Sequence, residues 1–125
     1  MTIKRLAVYC GSAPGADPAF ADAARELALL MVERKIDLVY GGGKLGLMGI
    51  VADTVLDNGG CAYGVIPQAL VDHEVAHHGC TELHTVGNMH ERKAKMTELA
   101  DAFVKLIEAW RTEMRERGHH SLIPR

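Results

Sequence analysis

With 125 residues and a hydrophobic fraction of 48%, the chain has the length for one domain with one core and too little for two. Its net charge of −2 supplies no overall basic field for nucleic acid or an anionic membrane, and no apolar run approaches the length of a bilayer crossing. The three cysteines, Cys10, Cys61 and Cys80, are an odd number without paired metal spacing. They read as reduced thiols, which together with an N-terminus lacking an apolar leader segment predicts a cytoplasmic protein.

In chain order, Leu6-Ala7-Val8-Tyr9-Cys10 is a short apolar run ending at Gly11-Ser12, as a buried strand entering a loop would. Asp17-Pro18 has the form of a helix cap followed by proline at the first helical position. Phe20, Ala24, Leu27, Leu30 and Met31 then mark one helical face. Residues 36–40 form a second strand, followed at once by Gly41-Gly42-Gly43. Gly46-Leu47-Met48-Gly49 opens a second helix with Ile50, Val51, Val55 and Leu56 at its apolar positions, and Asn58-Gly59-Gly60 ends it. Ala62-Tyr63-Gly64-Val65-Ile66 is the third strand, stopped by Pro67.

Two strand–helix–strand units in succession imply parallel strands with right-handed crossovers, hence an α/β, Rossmann-like, doubly wound parallel sheet. Periodicity weakens over residues 68–81, where His73, Glu74, His77 and His78 accumulate; Leu83-His84-Thr85-Val86 follows as a fourth strand. Ala100-Asp101-Ala102-Phe103-Val104 has the start of a fifth, yet Phe103, Leu106, Ile107, Trp110 and Met114 fit a helical stripe better. The expected layout is therefore one domain over residues 1–118 that ends in an amphipathic C-terminal helix, with a mobile tail at 119–125.

Three stretches carry chemistry. Asn88-Met89-His90-Glu91-Arg92-Lys93 has a capping residue with Glu91 three positions on, as in a capping box. Met89, Arg92, Lys93 and Met96 share one face, and the two cations stand near the positive end of a helix dipole, where a bound phosphate or carboxylate would offset their cost. A solvated basic turn has the same letters. Gly41-Gly42-Gly43-x-x-Gly46-x-x-Gly49 suits a close approach of backbone to a nucleotide, or else a tight turn packing helix on strand. It is neither the dinucleotide fingerprint nor a P-loop, since Lys44 precedes Leu45 rather than Ser or Thr. His73-Glu74-Val75-Ala76-His77 matches the zinc-protease letters, but it lies in a short polar connection with no evident third ligand, so no metal is expected.

Taken together, Tyr9-Cys10-Gly11-Ser12, Val39-Tyr40-Gly41-Gly42-Gly43, Gly46-Leu47-Met48-Gly49 and Met89-His90-Glu91-Arg92-Lys93 resemble the LOG family. These are cytokinin riboside 5′-monophosphate phosphoribohydrolases, long labelled lysine decarboxylases. The likeness spans roughly residues 4–104. It implies a homodimer, no cofactor, and hydrolysis of a nucleoside 5′-monophosphate such as AMP to free base and ribose 5-phosphate. By the same likeness Arg92 matches the catalytic arginine and Lys93 its substrate-binding neighbour. Glu74 matches a substrate-contacting glutamate, while Ser12, Gly41, Gly42 and Gly43 match the wall of the nucleotide pocket, with Met89 beside them.

One part of the pattern is missing. In that family the strand matching Asp101-Ala102-Phe103-Val104 runs into a P-G-G-x-G-T-x-x-E loop, which cradles phosphate and supplies a catalytic glutamate. Here Lys105-Leu106-Ile107-Glu108-Ala109-Trp110 follows, Glu108 does not match that glutamate, and the family's C-terminal third has no counterpart. The expectation is a shortened relative whose binding and rate are both reduced, or a non-catalytic nucleotide-binding or scaffold protein.

Overall fold

The computed structural model describes residues 3–10 and 18–105. Five strands form one sheet: β1 (Arg5–Tyr9), β2 (Asp37–Tyr40), β3 (Ala62–Pro67), β4 (Glu82–Val86) and β5 (Ala102–Lys105). Their spatial order is β4-β3-β2-β1-β5 and every pairing is parallel. Three helices connect them: α1 (Pro18–Glu33), α2 (Gly46–Asp57) and α3 (Met89–Leu99). The chain thus steps outward from β1 to β4, then α3 carries it back across the sheet to β5 on the other side of β1. That reversal makes β1 and β5 the switch point, and open α/β sheets bind ligands outside the carboxyl ends of their strands there.

Alternation along the strands sorts the core into two layers. Val8, Leu38, Tyr40 and Ala62 pack beneath α1 and α2, which contribute Phe20, Ala24, Leu27, Met31, Val51 and Val55. Ala7, Val39, Tyr63 and Val65 face the other way, where Met96 of α3 covers them. The end of α2 follows its turn chemistry: Gly59 takes φ 85, and Gly60 N–H reaches back to the Val55 carbonyl at 2.8 Å. The end of α1 uses the same motif without a glycine. Lys35 adopts φ 58 while Ile36 N–H bonds the Met31 carbonyl at 2.8 Å.

One expectation is corrected. Phe103 belongs to a strand and not to a helical stripe: Ala7 pairs with Phe103 and Val8 with Val104 in register. Tyr9 stacks on Phe103, with ring centroids 6.0 Å apart. The periodic argument failed because a four-residue edge strand is too short to show its own period against the helical stripe that follows it in sequence. The C-terminal helix around Trp110 and the tail at 119–125 lie outside the described residues.

Candidate nucleotide site

The site begins with the cap of α3. Asn88 has extended backbone, and its side chain accepts from the Glu91 N–H at 2.9 Å. Glu91 in turn accepts from the Gly87 N–H, one residue before the expected reciprocal partner. This fixes the first turn, and because helical side chains lean toward the N-terminus, Arg92 is aimed back over the carboxyl edge of the sheet.

Arg92 is buried there, one of two buried polar or charged side chains among the described residues. Its Nε donates to the Val65 carbonyl at 2.9 Å, one terminal nitrogen donates to the Gly41 carbonyl, and the same nitrogen meets Glu74 Oε1 at 2.8 Å. The Arg92 and Glu74 side chains are 10% and 12% exposed, so this ion pair is largely desolvated. Such a pair is costly to break from one side, because the survivor is left buried with its charge. The other terminal nitrogen, NH1, has only the Met89 sulfur at 3.7 Å. That is a weak acceptor, so NH1 keeps donors to offer.

A cavity of about 320 Å³ opens beside this nitrogen, lined by Val8, Tyr9, Cys10, Gly41, Met48, Glu74, Met89, Arg92, Lys93 and Met96. Two cations and one carboxylate on its wall leave it net positive, and the α3 N-terminus adds to that sign. Lys93 is exposed at the mouth. Burial pushes the Cys10 thiol up to about 12, with the nearby Arg92 charge pulling the other way, so it is a neutral wall group rather than a nucleophile.

Of the residues singled out from the sequence, the structure brings Gly41, Glu74, Met89, Arg92 and Lys93 to one cavity. Ser12 lies outside the described residues. The glycines divide between two surroundings. Gly41 lines the cavity, and a Cβ there would lie 2.6 Å from the Arg92 guanidinium, so the missing side chain also makes room for arginine. Gly42, at φ 79, packs under Leu83 and Ile66, and Gly43 bridges to Ala76. Both stand behind the cavity and hold the chain segment that presents Glu74. Residues 71–75 are turns, which leaves His73 and His77 off any common helical face.

The family profile described as possible lysine decarboxylase matches residues 48–107. The cytokinin riboside 5′-monophosphate phosphoribohydrolase of Oryza sativa subsp. japonica is 52% identical over 103 residues, covering 82% of this chain and 43% of the rice protein. The protein of that description from Rhodococcoides fascians is 46% identical over 106 residues, covering 84% of this chain and 54% of its own length. The chain therefore spans about half the length of the curated relatives it matches. Among solved structures, the molybdenum cofactor binding protein from Rippkaea orientalis superposes with a TM-score of 0.69 at 18% identity, covering 85% of this chain and 63% of that one. The Moco carrier protein from Chlamydomonas reinhardtii gives 0.68 at 17%, covering 82% and 61%. At such identities these two establish the shared Rossmann-type fold and nothing further. With nearly half its residues identical across four-fifths of its length, the chain belongs, over that aligned stretch, to the LOG family of cytokinin riboside 5′-monophosphate phosphoribohydrolases.

Proposed function

We propose that the cavity binds a nucleoside 5′-monophosphate and that the chain takes part in hydrolysis of its N-glycosidic bond, giving free base and ribose 5-phosphate. The observation that carries this reading is the buried Arg92–Glu74 pair on the wall of a net-positive cavity, with only a weak sulfur acceptor at the remaining guanidinium nitrogen. An anionic phosphoryl group suits NH1, Lys93 and the α3 N-terminus together. Val8, Cys10, Met48 and Met96 offer a less polar wall for a base. Cleavage of the bond develops oxocarbenium character on the ribose, which a fixed carboxylate stabilises. Among the described residues Glu74 is the carboxylate on the cavity wall, and Arg92 holds it in place.

That arrangement also supports a second reading, a nucleotide-binding protein without turnover. Glu74 is already paired with Arg92. Two further parts of the proposal, AMP as an accepted substrate and assembly as a homodimer, rest on the family likeness alone, and a cytoplasmic location rests on the reading of Cys10, Cys61 and Cys80 as reduced thiols. No helix among the described residues is long and apolar enough to cross a membrane.

Calorimetry with AMP, followed by product analysis of the same sample, separates the readings. Saturable binding with release of adenine supports the hydrolase, and binding without release supports the second reading. Arg92→Ala is expected to weaken AMP binding by at least about tenfold, since a charge-assisted contact is lost and Glu74 is left unpaired. An Arg92→Ala protein that binds as tightly as the parent would sink both.

A further inference from the structure

Glu74 stands on a connection with little regular structure, a 3-10 turn at Gln68–Leu70 followed by successive turns to Cys80. Its backbone is tied to the β2–α2 connection. His77 N–H donates to the Gly42 carbonyl at 2.8 Å, and Lys44 N–H donates to Val75 at 2.7 Å and Glu74 at 3.2 Å. Between these ties Val75 takes φ 51, a left-handed conformation that crowds a β-branched side chain against its own backbone. A residue stays in such a conformation only where its surroundings over-determine it.

The side chain placed to do so is His77. With Arg92 it completes the set of buried polar or charged side chains among the described residues, and the two flank Glu74. Arg92 holds the carboxylate, and His77 holds the backbone two residues beyond Val75. His77 Nδ1 accepts from the Gly79 N–H at 3.0 Å, which leaves a ring proton on Nε2. That Nε2–H donates to Asp53 Oδ1 at 2.6 Å. Asp53, half exposed itself, projects from α2, which is seated in the core by Val51, Ala52 and Val55.

We infer that Asp53 and His77 are positioning residues for Glu74 and, through it, for the Arg92 guanidinium. Neither lines the cavity. Asp53 fixes the imidazole, the imidazole fixes the turn, and the turn keeps Glu74 against Arg92. Without the Asp53 bond the strained turn relaxes, Glu74 swings off Arg92, and NH1 loses its aim. The inference rests on the nucleotide reading of the cavity only for its functional consequence.

The test compares Asp53→Ala with Asp53→Asn, whose amide oxygen still accepts from Nε2–H. At a temperature well below melting, Asp53→Ala is expected to weaken AMP binding about tenfold, the worth of one hydrogen bond to a charged group. Asp53→Asn should keep most of the affinity that Asp53→Ala loses, because its amide oxygen still accepts from Nε2–H. Asp53→Ala/Val75→Gly should recover most of the loss, because glycine tolerates the left-handed turn without a clamp. Equal affinity of Asp53→Ala and parent, or failure of Asp53→Asn to hold affinity, overturns the proposal. Amide exchange at Lys44, whose N–H bonds the Glu74 and Val75 carbonyls, reads the clamp with no nucleotide present. Faster exchange in Asp53→Ala supports it even where AMP does not bind the parent, and unchanged exchange refutes it.

Discussion

On one face of the sheet, two helices and four strand residues bury an apolar layer of fifteen side chains among the described residues; on the other, a single helix completes a layer of five. The contrast extends to what the helices themselves bury. Six residues of α1, all apolar, turn inward, whereas α3 buries only Arg92 and Met96. Half of what α3 contributes is therefore a cation, held by two backbone carbonyls and Glu74 rather than by burial of apolar surface. A helix seated this way depends on its cap and its ion pair. It leaves room at the carboxyl edge of β1 and β2 that a closely packed apolar helix would fill. The thick face carries most of the apolar burial, and the helix on the thin face supplies both cations of the cavity wall.

Truncations on the two faces should separate these roles. Leu38→Ala, at a fully buried position of the thick layer, is expected to cost about 2–5 kcal/mol in chemical denaturation. Met96→Ala should fall at the lower end of that range, because one side of Met96 faces the cavity, where neighbours can relax. Equal costs would erase the contrast. A smaller effect is expected at the α3 cap, where Asn88→Ala removes the acceptor for the Glu91 N–H and should cost about 1 kcal/mol. AMP affinity should fall alongside stability in that variant, since α3 carries Arg92 and Lys93.

The smallest effect concerns the joint between the faces. The Asp101 carboxylate accepts from the Lys4 and Arg5 N–H groups, each at 3.0 Å, tying the end of the α3 crossover to the start of β1. The Lys4 bond, then the Arg5 bond, holds its carboxyl below the ordinary carboxylate value. The fold therefore favours the ionised form. Its contribution is full above the unfolded carboxylate pKa and is lost as pH falls through the lower, folded value. Melting curves from neutral pH down to about pH 2 should show a shallower acid decline for Asp101→Asn than for the parent. An identical decline would remove Asp101 from the account.

Much of this architecture was legible beforehand because it is written in local terms. The apolar runs of β1, β2 and β3, the stripe of α1, the glycine stop after α2 and the Asn88–Glu91 pairing are all set by residues within a few positions of one another. Met89, Arg92, Lys93 and Met96 were placed on one face by helical spacing, and all four line the cavity. Glu74 was reached only through the family likeness, because nothing around it is periodic. Of the glycines after β2, Gly41 lines the cavity while also leaving space for Arg92. Local sequence shows that backbone must approach something, and cannot say whether that is a ligand or a guanidinium arriving from residue 92.

By itself, then, the sequence determined the order of the elements, the parallel sheet and the helix start that carries the two cations, since short-range periodicity and turn chemistry suffice for those. Tertiary structure alone decided how those cations are used. Arg92 meets Gly41 across 51 positions and Glu74 across 18, and His77 meets Asp53 across 24. Those distances are closed by the crossovers and by packing of the two layers, not by any local preference. They turn one of two adjacent basic residues into a buried, oriented donor while leaving the other exposed at the cavity mouth.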